Sequence, residues 1–293
     1  MRIAVLIAVS ALSLTAETLL DRLNERIRQT PGTVTLYARN LATGKSIGIR
    51  EDEKVRTAST IKLPILVAVY QAVAEQKARW EETLLLREED KVSGSGILRE
   101  FSSGLRFPLR DLAHLMIVVS DNTATNLVLD RISTDYVNHM LDRLGLTNTR
   151  AMRKVLGSGR TDPTGHSKAG LREENKRFGL GSSTSREIVA LLDKIEKRSI
   201  LTSAACDEIL ALLKRQQDKG GIGRKLSAKY PVASKSGTLD LLRSDVGLVY
   251  SKSAPIAIAI TIDQMSASDY SPDNAGSILI GDLAVLLVNG LGE

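Results

Sequence analysis

Hydrophobic residues recur near every 3.6 positions through the middle of the chain, whereas they alternate or form short runs towards its ends. The first pattern predicts helices over residues 60–76, 109–119, 123–132, 185–197 and 276–291. The second predicts strands over residues 34–39, 46–50, 231–238, 245–250 and 256–263. The first two strands read as a hairpin around Thr43-Gly44. The pattern as a whole predicts an α/β (α+β) fold.

The order of these elements predicts how the domain is organised. A single domain is expected over residues 17–293, with a sheet part (17–55 and 226–293) and an inserted, mostly helical part (56–225). The length of 293 residues and the 43% hydrophobic content are sufficient for a large core. Within the helical part, Thr184 and Glu187 have the spacing of a capping box for the helix that begins at residue 185.

Charge and cysteine content narrow the classes of function. The net charge is +6, the basic residues are scattered and aromatic residues make up 3%, so nucleic-acid binding is not expected. The single cysteine, Cys206, excludes an intrachain disulfide and a cysteine-based metal cluster, and its apolar surroundings predict a buried thiol. His114, His139 and His166 are too far apart to suggest a ligand pair. The sequence therefore predicts no metal and no cofactor.

The N-terminal segment has the features of a secretory signal. Met1-Arg2 precedes an apolar run, and Ala16 precedes a polar segment, which predicts a signal peptide over residues 1–16. The run is too short to span a bilayer. The alternative is a first buried strand or helix. A signal implies a secreted or periplasmic protein with no membrane span after its removal.

Three short motifs follow one another along the chain. They are Ser59-Thr60-Ile61-Lys62, Ser120-Asp121-Asn122 and Lys235-Ser236-Gly237. Singly, the first reads as an N-cap serine before a solvated lysine, and the second as a junction between two helices. Together and in this order they resemble the S-x-x-K, S-D-N and K-T-G set of class A β-lactamases and penicillin-binding proteins, with Ser236 in place of threonine. The resemblance implies an antiparallel sheet flanked by helices plus an all-helical subdomain, with the catalytic cleft at their junction.

The first motif contains a candidate nucleophile and its base. Ser59 precedes a predicted helix, whose N-terminus favours developing negative charge. Lys62 lies one turn further along the same side. A serine hydroxyl needs an adjacent base to attack a carbonyl, and a lysine can serve when burial and nearby cations lower its pKa. Ser59 and Lys62 are therefore the predicted catalytic pair.

The resemblance assigns roles to the second motif. It implies that Ser120 relays a proton to the leaving nitrogen. It also implies that Asn122 holds Lys62 and the side-chain amide of the substrate, while Asp121 is structural.

The third motif predicts a site for a carboxylate. Gly237 would let the backbone approach a ligand closely. A cationic, hydroxyl-rich wall suited to a carboxylate comprises Lys235, Ser236, Thr238 and Arg243. The resemblance implies that this wall holds the carboxylate of a β-lactam or of a D-alanyl-D-alanine peptide, and that the amides of Ser59 and Thr238 form the oxyanion hole.

One part of the family pattern is missing. Class A β-lactamases carry a Glu-x-x-Leu-Asn loop whose glutamate activates the deacylating water, and the corresponding position here is Val155 or Leu156. Neither side chain accepts a proton. Glu173 and Glu174 are the candidate replacement bases in the polar stretch that follows, and the alternative is that both are solvated loop residues.

These observations lead to three hypotheses. The first is a β-lactamase-like serine hydrolase, expected to be a monomer, that acts on β-lactams through an acyl-enzyme on Ser59 with slow deacylation. The second is a D,D-peptidase acting on peptidoglycan stem peptides. The third is a penicillin-binding protein or sensor that stays acylated.

Overall fold

The computed structural model describes residues 17–156 and 165–292. The predicted signal peptide lies outside the described residues. The central sheet is antiparallel, with five strands in the order β2-β1-β10-β9-β8. Its strands are β1 (Thr33–Asn40), β2 (Ser46–Ile49), β8 (Val232–Leu239), β9 (Leu242–Tyr250) and β10 (Pro255–Asp263). All five predicted strands are present, and β8 forms one edge of the sheet.

Strand β10 shows how alternation separates the two faces of the sheet. Ile256, Ile258, Ile260 and Ile262 point to one face, where they pack with α8 (Ala275–Gly292). Helix α1 (Leu19–Arg28) covers the same face and contacts α8. In the part of the chain that the structure describes, α8 alone is long and apolar enough to cross a membrane, but half of it is buried in this core.

The opposite face of the sheet joins the helices of the second core. These are α2 (Lys62–Ala74), α3 (Leu109–Val118), α4 (Asn122–Ile132), α5 (Thr134–Arg143), α6 (Ser185–Glu196) and α7 (Ser203–Lys214). Helix α2 is buried on nearly all sides, and Cys206 is buried beside the same core, as expected from its apolar surroundings. Helices α6 and α7 contact strands of the sheet, although they belong to the segment predicted as the helical part.

The middle of the chain also contains short strands that the sequence pattern did not predict. One small sheet has the order β3-β7-β6, and β4 pairs with β5. Their bounds are β3 (Val55–Arg56), β4 (Thr83–Leu85), β5 (Arg106–Pro108), β6 (Arg150–Ala151) and β7 (Gly181–Ser183), and 3₁₀ helices span Ala58–Ile61, Glu88–Asp90, Leu98–Glu100 and Glu173–Phe178. Strands of two or three residues are too short to show alternation.

Half of the predicted capping box at α6 is wrong. The Thr184 hydroxyl accepts a hydrogen bond from the backbone N–H of Glu187 at 3.1 Å, as expected. The Glu187 carboxylate, however, accepts hydrogen bonds from the backbone N–H groups of Asn148 and Thr149 at 2.9 and 2.7 Å. It therefore fixes the segment before β6 instead of closing the box.

Candidate active site

Ser59 lies in the 3₁₀ helix Ala58–Ile61, which runs directly into α2. The preceding residue, Ala58, has a φ of 47°, a left-handed conformation that is strained for a non-glycine residue. Ser59 is half-buried and lines two cavities that meet at its position. The serine therefore lies at the start of the buried helix, with one cavity on each side of it.

The Lys62 ammonium reaches across to the second motif. It is fully buried. Its Nζ donates to the Ser120 carbonyl oxygen at 2.7 Å, to Ser120 Oγ at 3.2 Å and to Asn122 Oδ1 at 2.8 Å. Burial holds the pKa of Lys62 well below its usual value, and the Lys235 charge lowers it further, against a smaller opposing effect of Asp121. A lysine with a depressed pKa can take the serine proton.

Lys235 completes a chain of polar groups through Ser120. Its Nζ donates to Ser120 Oγ at 3.0 Å and to the carbonyl oxygen of Ser236 at 2.7 Å. Burial lowers the pKa of Lys235 to about 8, against the raising effects of Asp245 and Asp218. Because Ser120 Oγ contacts both ammonium groups, it provides a route for a proton between Lys62 and the side of the cleft formed by β8.

The turn between α3 and α4 holds the second motif rigidly. Ser120 has a φ of 55°, which directs its side chain and carbonyl towards Lys62. The buried Asp121 carboxylate caps α4 by accepting from Ala124 N at 2.8 Å, and it also accepts from Ile97 N and Leu98 N, both at 2.7 Å. Asp121 therefore has the structural position expected of it.

Strand β8 brings its backbone against Ser59. A Cβ placed on Gly237 would lie 2.7 Å from the carbonyl oxygen of Thr57 and 3.1 Å from the backbone nitrogen of Ser59. Only glycine permits this approach. The close approach of β8 to the 3₁₀ helix is what joins the first motif to the third.

The free edge of β8 supplies a second amide. Gln216, with its amide oriented to satisfy both ends, accepts from Ser236 N at 3.0 Å and donates to the Asp218 carbonyl oxygen at 2.7 Å. The Ser236 N–H therefore points away from β9. Since N–H directions alternate along a strand, the Thr238 N–H also points to this edge, beside the Ser59 amide. The two amides are placed to form the predicted oxyanion hole.

Arg243 lines the larger cavity, but its guanidinium donates hydrogen bonds to backbone carbonyls. It pairs with Thr238 across β8 and β9. Its Nη1 donates to the carbonyl oxygens of Leu239 and Leu242 at 2.6 and 2.7 Å, and its Nη2 donates to that of Asp269. The structure thus gives Arg243 a role in holding the turn after β8, whereas Lys235, Ser236 and Thr238 remain together near Ser59.

Two cavities adjoin Ser59. The smaller cavity has a volume of about 230 Å³ and includes Ser120, Ser236 and Thr238 in its lining. The larger cavity has a volume of about 1040 Å³ and includes Asn122 and Thr238. Together they form the cleft predicted at the junction of the two cores.

The loop after β6 lies in the larger cavity without a carboxylate at the expected place. Val155 and Leu156 both line the cavity. Asn126 fixes Val155 by accepting from its N–H at 2.8 Å and donating to its carbonyl oxygen at 2.9 Å. Asn126 lies one turn after Asn122 on α4, a spacing that the sequence analysis did not use.

The structure does not bring the proposed replacement bases to the cleft. Glu173 is 84% exposed and pairs with Lys176, and Glu174 is exposed. Neither is among the described residues that line the larger cavity. The suggestion that Glu173 or Glu174 activates water is therefore corrected: both belong to the solvated 3₁₀ helix Glu173–Phe178.

Asp245 is a buried neighbour of the third motif that the sequence motifs did not indicate. It pairs with Ser236 across β8 and β9. Its Oδ2 accepts from Ile222 N at 2.8 Å, while Oδ1 has no hydrogen-bond partner among the described residues. Burial raises the pKa of Asp245 to about 7. An aspartate in an otherwise apolar strand pattern was the available signal.

Within the described ranges, no cluster of histidine, cysteine, aspartate or glutamate could hold a metal ion. The chemistry that these described residues support rests on a serine, two buried lysines and backbone amides. A nucleophile, a base and oxyanion donors are the groups that acyl transfer requires.

Comparison with known proteins decides the family. The sequence model of the "Beta-lactamase enzyme family" matches residues 18–291. The chain belongs to this family. The predicted resemblance and fold class are confirmed, and the protein is a β-lactamase-like serine hydrolase.

Curated relatives that are similar to the chain include a β-lactamase and a regulatory protein. Beta-lactamase L2 from Stenotrophomonas maltophilia is 32% identical over 116 residues, a match that spans 40% of this chain and only 37% of that protein. The beta-lactamase regulatory protein BlaB from Streptomyces cacaoi is 24% identical over 291 residues, covering 88% of this chain and 93% of that protein.

Solved structures show the same fold. A β-lactamase from Sphaerobacter thermophilus has a TM-score of 0.80 and 26% identity, with 95% of this chain and 98% of that chain covered. A point mutant of PBP-A, solved as an acyl-enzyme complex with penicillin G, has a TM-score of 0.77 and 25% identity, with 92% and 95% covered.

Proposed function

We propose that the protein forms an acyl-enzyme on Ser59 with β-lactams and hydrolyses it slowly. One observation supports this proposal. The groups needed for acylation lie together at Ser59, but the described part of the cavity wall beside them has no glutamate that could activate water. Val155 and Leu156 line that wall. The described carboxylates that line the larger cavity are Asp218 and Asp240, which accept hydrogen bonds from Gly220 N and from the Tyr270 hydroxyl.

The proposed acylation step uses the groups that surround Ser59. Neutral Lys62 takes the proton of Ser59 Oγ as Oγ bonds to the lactam carbonyl carbon. The amides of Ser59 and Thr238 stabilise the resulting oxyanion. Collapse breaks the C–N bond, and the proton passes through Ser120 Oγ to the leaving nitrogen. The product is an ester on Ser59 with the opened lactam nitrogen protonated.

Accumulation of the adduct tests the proposal. After mixing with a fluorescent penicillin, the protein is expected to carry one label on the peptide containing Ser59, and Ser59→Ala should remove it. Label loss should be much slower than label gain, because a missing general base costs about 10²–10⁴-fold in rate. Rapid steady turnover without a detectable adduct would refute slow deacylation.

Substitutions around the cavity test the reason for slow release. Leu156→Glu and Val155→Glu each place a carboxylate on the wall beside Ser59, and we expect at least one of them to accelerate label loss. Leu156→Gln and Val155→Gln are the matched controls of equal length. Glu173→Gln and Glu174→Gln should leave label loss unchanged, because both side chains are solvated.

Two other candidates are a β-lactam-binding regulator and a D,D-peptidase. Similarity to the regulatory protein BlaB favours the first of these. Slow deacylation suits such a role because the protein would stay acylated. Export through the predicted signal would bring the cleft to peptidoglycan as well as to antibiotics. Release of D-alanine from a stem peptide, with Ser59→Ala as the control, distinguishes a peptidase from a regulator.

A further inference from the structure

The larger cavity has an excess of positive charge. Among the described residues that line it, seven are cationic and two are acidic. The cations are Arg56, Arg153, Lys176, Arg177, Lys219, Arg224 and Arg243, and the acids are Asp218 and Asp240. A cavity with such a surplus attracts anions.

Four of these cations are already engaged within the protein. Arg56, Lys176 and Arg224 form ion pairs with Asp263, Glu173 and Asp273, and Arg243 donates to three backbone carbonyls. These four residues hold local structure. They leave Arg153, Arg177 and Lys219 without a carboxylate partner in an ion pair among the described residues.

Arg153 and Arg177 lie on one wall. Arg153 is half-buried, and its Nη1 donates to the carbonyl oxygen of Lys154 at 3.0 Å. Its Nη2 lies 3.7 Å from the position of a Cβ on Gly179, which places the guanidinium beside the turn that carries Arg177. Arg177 stacks over the Phe178 ring at 4.6 Å. Burial lowers the pKa of Arg153 without a described carboxylate to offset it.

The position of this wall indicates which part of a substrate it meets. Among the polar groups suited to the ring carboxylate, Ser236 lines the smaller cavity and Thr238 lines both cavities, while the Lys235 Nζ donates to the Ser236 carbonyl oxygen. Ser59 lies between the two cavities. Asn122, Arg153 and Arg177 line the larger cavity, so a substrate whose ring carboxylate lies at Ser236 would extend its acyl substituent towards them.

We infer that Arg153 and Arg177 form a second anion subsite, which recognises a carboxylate on the acyl substituent of the substrate. The inference rests on the proposed function, since it requires a β-lactam seated at Ser59. Two guanidinium groups present forked donors suited to a carboxylate. The substrate class is thus acyl derivatives with a negative charge at both ends.

Two penicillins that differ by one carboxylate test the subsite. Benzylpenicillin and α-carboxybenzylpenicillin share their ring and phenyl group. The second-order rate constant for Ser59 acylation is measured for each by intact-protein mass spectrometry, and the ratio of carboxylated to neutral compound is compared between variants. This ratio should fall about tenfold in Arg153→Gln and in Arg177→Gln, the effect of losing one charged hydrogen bond.

Arg172→Gln is the matched control, because Arg172 is an exposed cation on the same segment and is not among the described lining residues. Its ratio should equal that of the unaltered protein. Arg177 is exposed, so its substitution remains informative if Arg153→Gln does not fold. An unchanged ratio in the folded variants would overturn the inference.

Failure of the proposed function gives a different result, namely the absence of an adduct with both penicillins. Equilibrium binding of the two penicillins to the Ser59→Ala protein then tests whether the anion subsite exists. Tighter binding of the carboxylated compound that Arg177→Gln weakens supports it. Equal dissociation constants reject it.

Discussion

Gly237→Ala tests whether the contact between β8 and the 3₁₀ helix builds the oxyanion hole. The added Cβ would lie 2.7 Å from the Thr57 carbonyl oxygen, and 3.1 Å from both Ser59 N and Thr60 Cγ2. The two closest atoms belong to the backbone, so no flexible side chain can move aside. Relative to an ordinary contact of 3.4 Å, the strand must move away by about 0.7 Å.

The displacement sets the expected magnitude. The donors of an oxyanion hole act at about 2.7–3.1 Å, so a shift of this size removes most of one hydrogen bond. Loss of one donor costs about 10²–10³-fold in rate, or about 2.7–4 kcal/mol. The extra methyl group should also lower the free energy of unfolding by about 1–3 kcal/mol through overpacking. The rate loss is therefore expected to be the larger effect.

The assay separates these two effects. The rate of Ser59 labelling by a fluorescent penicillin reports on the hole, and urea unfolding reports on stability. Gly292→Ala is the control, because its added methyl group meets no described atom closer than 3.4 Å. If folded Gly237→Ala is labelled within about threefold of the unaltered rate, the oxyanion hole does not depend on this contact and the reasoning is wrong.

Four further outcomes follow from the buried lysines and their neighbour. Lys62→Ala should slow labelling about 10²–10⁴-fold for every β-lactam, because it removes the base. Lys235→Ala should mainly weaken recognition of carboxylate-bearing substrates, and equal losses on a substrate without the carboxylate would contradict this. Labelling of carboxylate-bearing β-lactams should fall as the pH rises through about 8, where Lys235 loses its charge. Asp245→Asn should move that decline to lower pH, because the Asp245 charge raises the pKa of Lys235, and an unmoved pH profile would show that the two residues are uncoupled.

Asp245 should make the free energy of unfolding fall as the pH rises, whereas an ion-paired carboxylate makes it rise. Its pKa is about 7 in the folded protein, against an ordinary value of 3.8. Between these values the folded state binds more protons, so the free energy of unfolding falls as the pH rises. In Asp245→Asn this part of the pH dependence should disappear, as urea unfolding at several pH values would show.

The sequence by itself determines the local features of this protein. Ile256 to Ile262 alternate with smaller residues, so the two faces of β10 are defined by neighbours along the chain. Ser59 and Lys62 are three residues apart, and one helical turn places them on the same side. The order of the three motifs identifies the family. Periodicity and motif spacing are short-range properties, which is why the sequence alone specifies them.

Tertiary packing determined the pKa values and the hydrogen-bond partners of these residues. Lys62 and Lys235 meet Ser120 across 58 and 115 residues of sequence, and burial together with their proximity lowers the pKa of Lys62. The same packing turned the Arg243 guanidinium towards backbone carbonyls and left Glu173 in solvent. Desolvation and the distances between charges depend on segments that are remote along the chain. A pattern of neighbouring residues cannot specify them, whereas the assembled cores do.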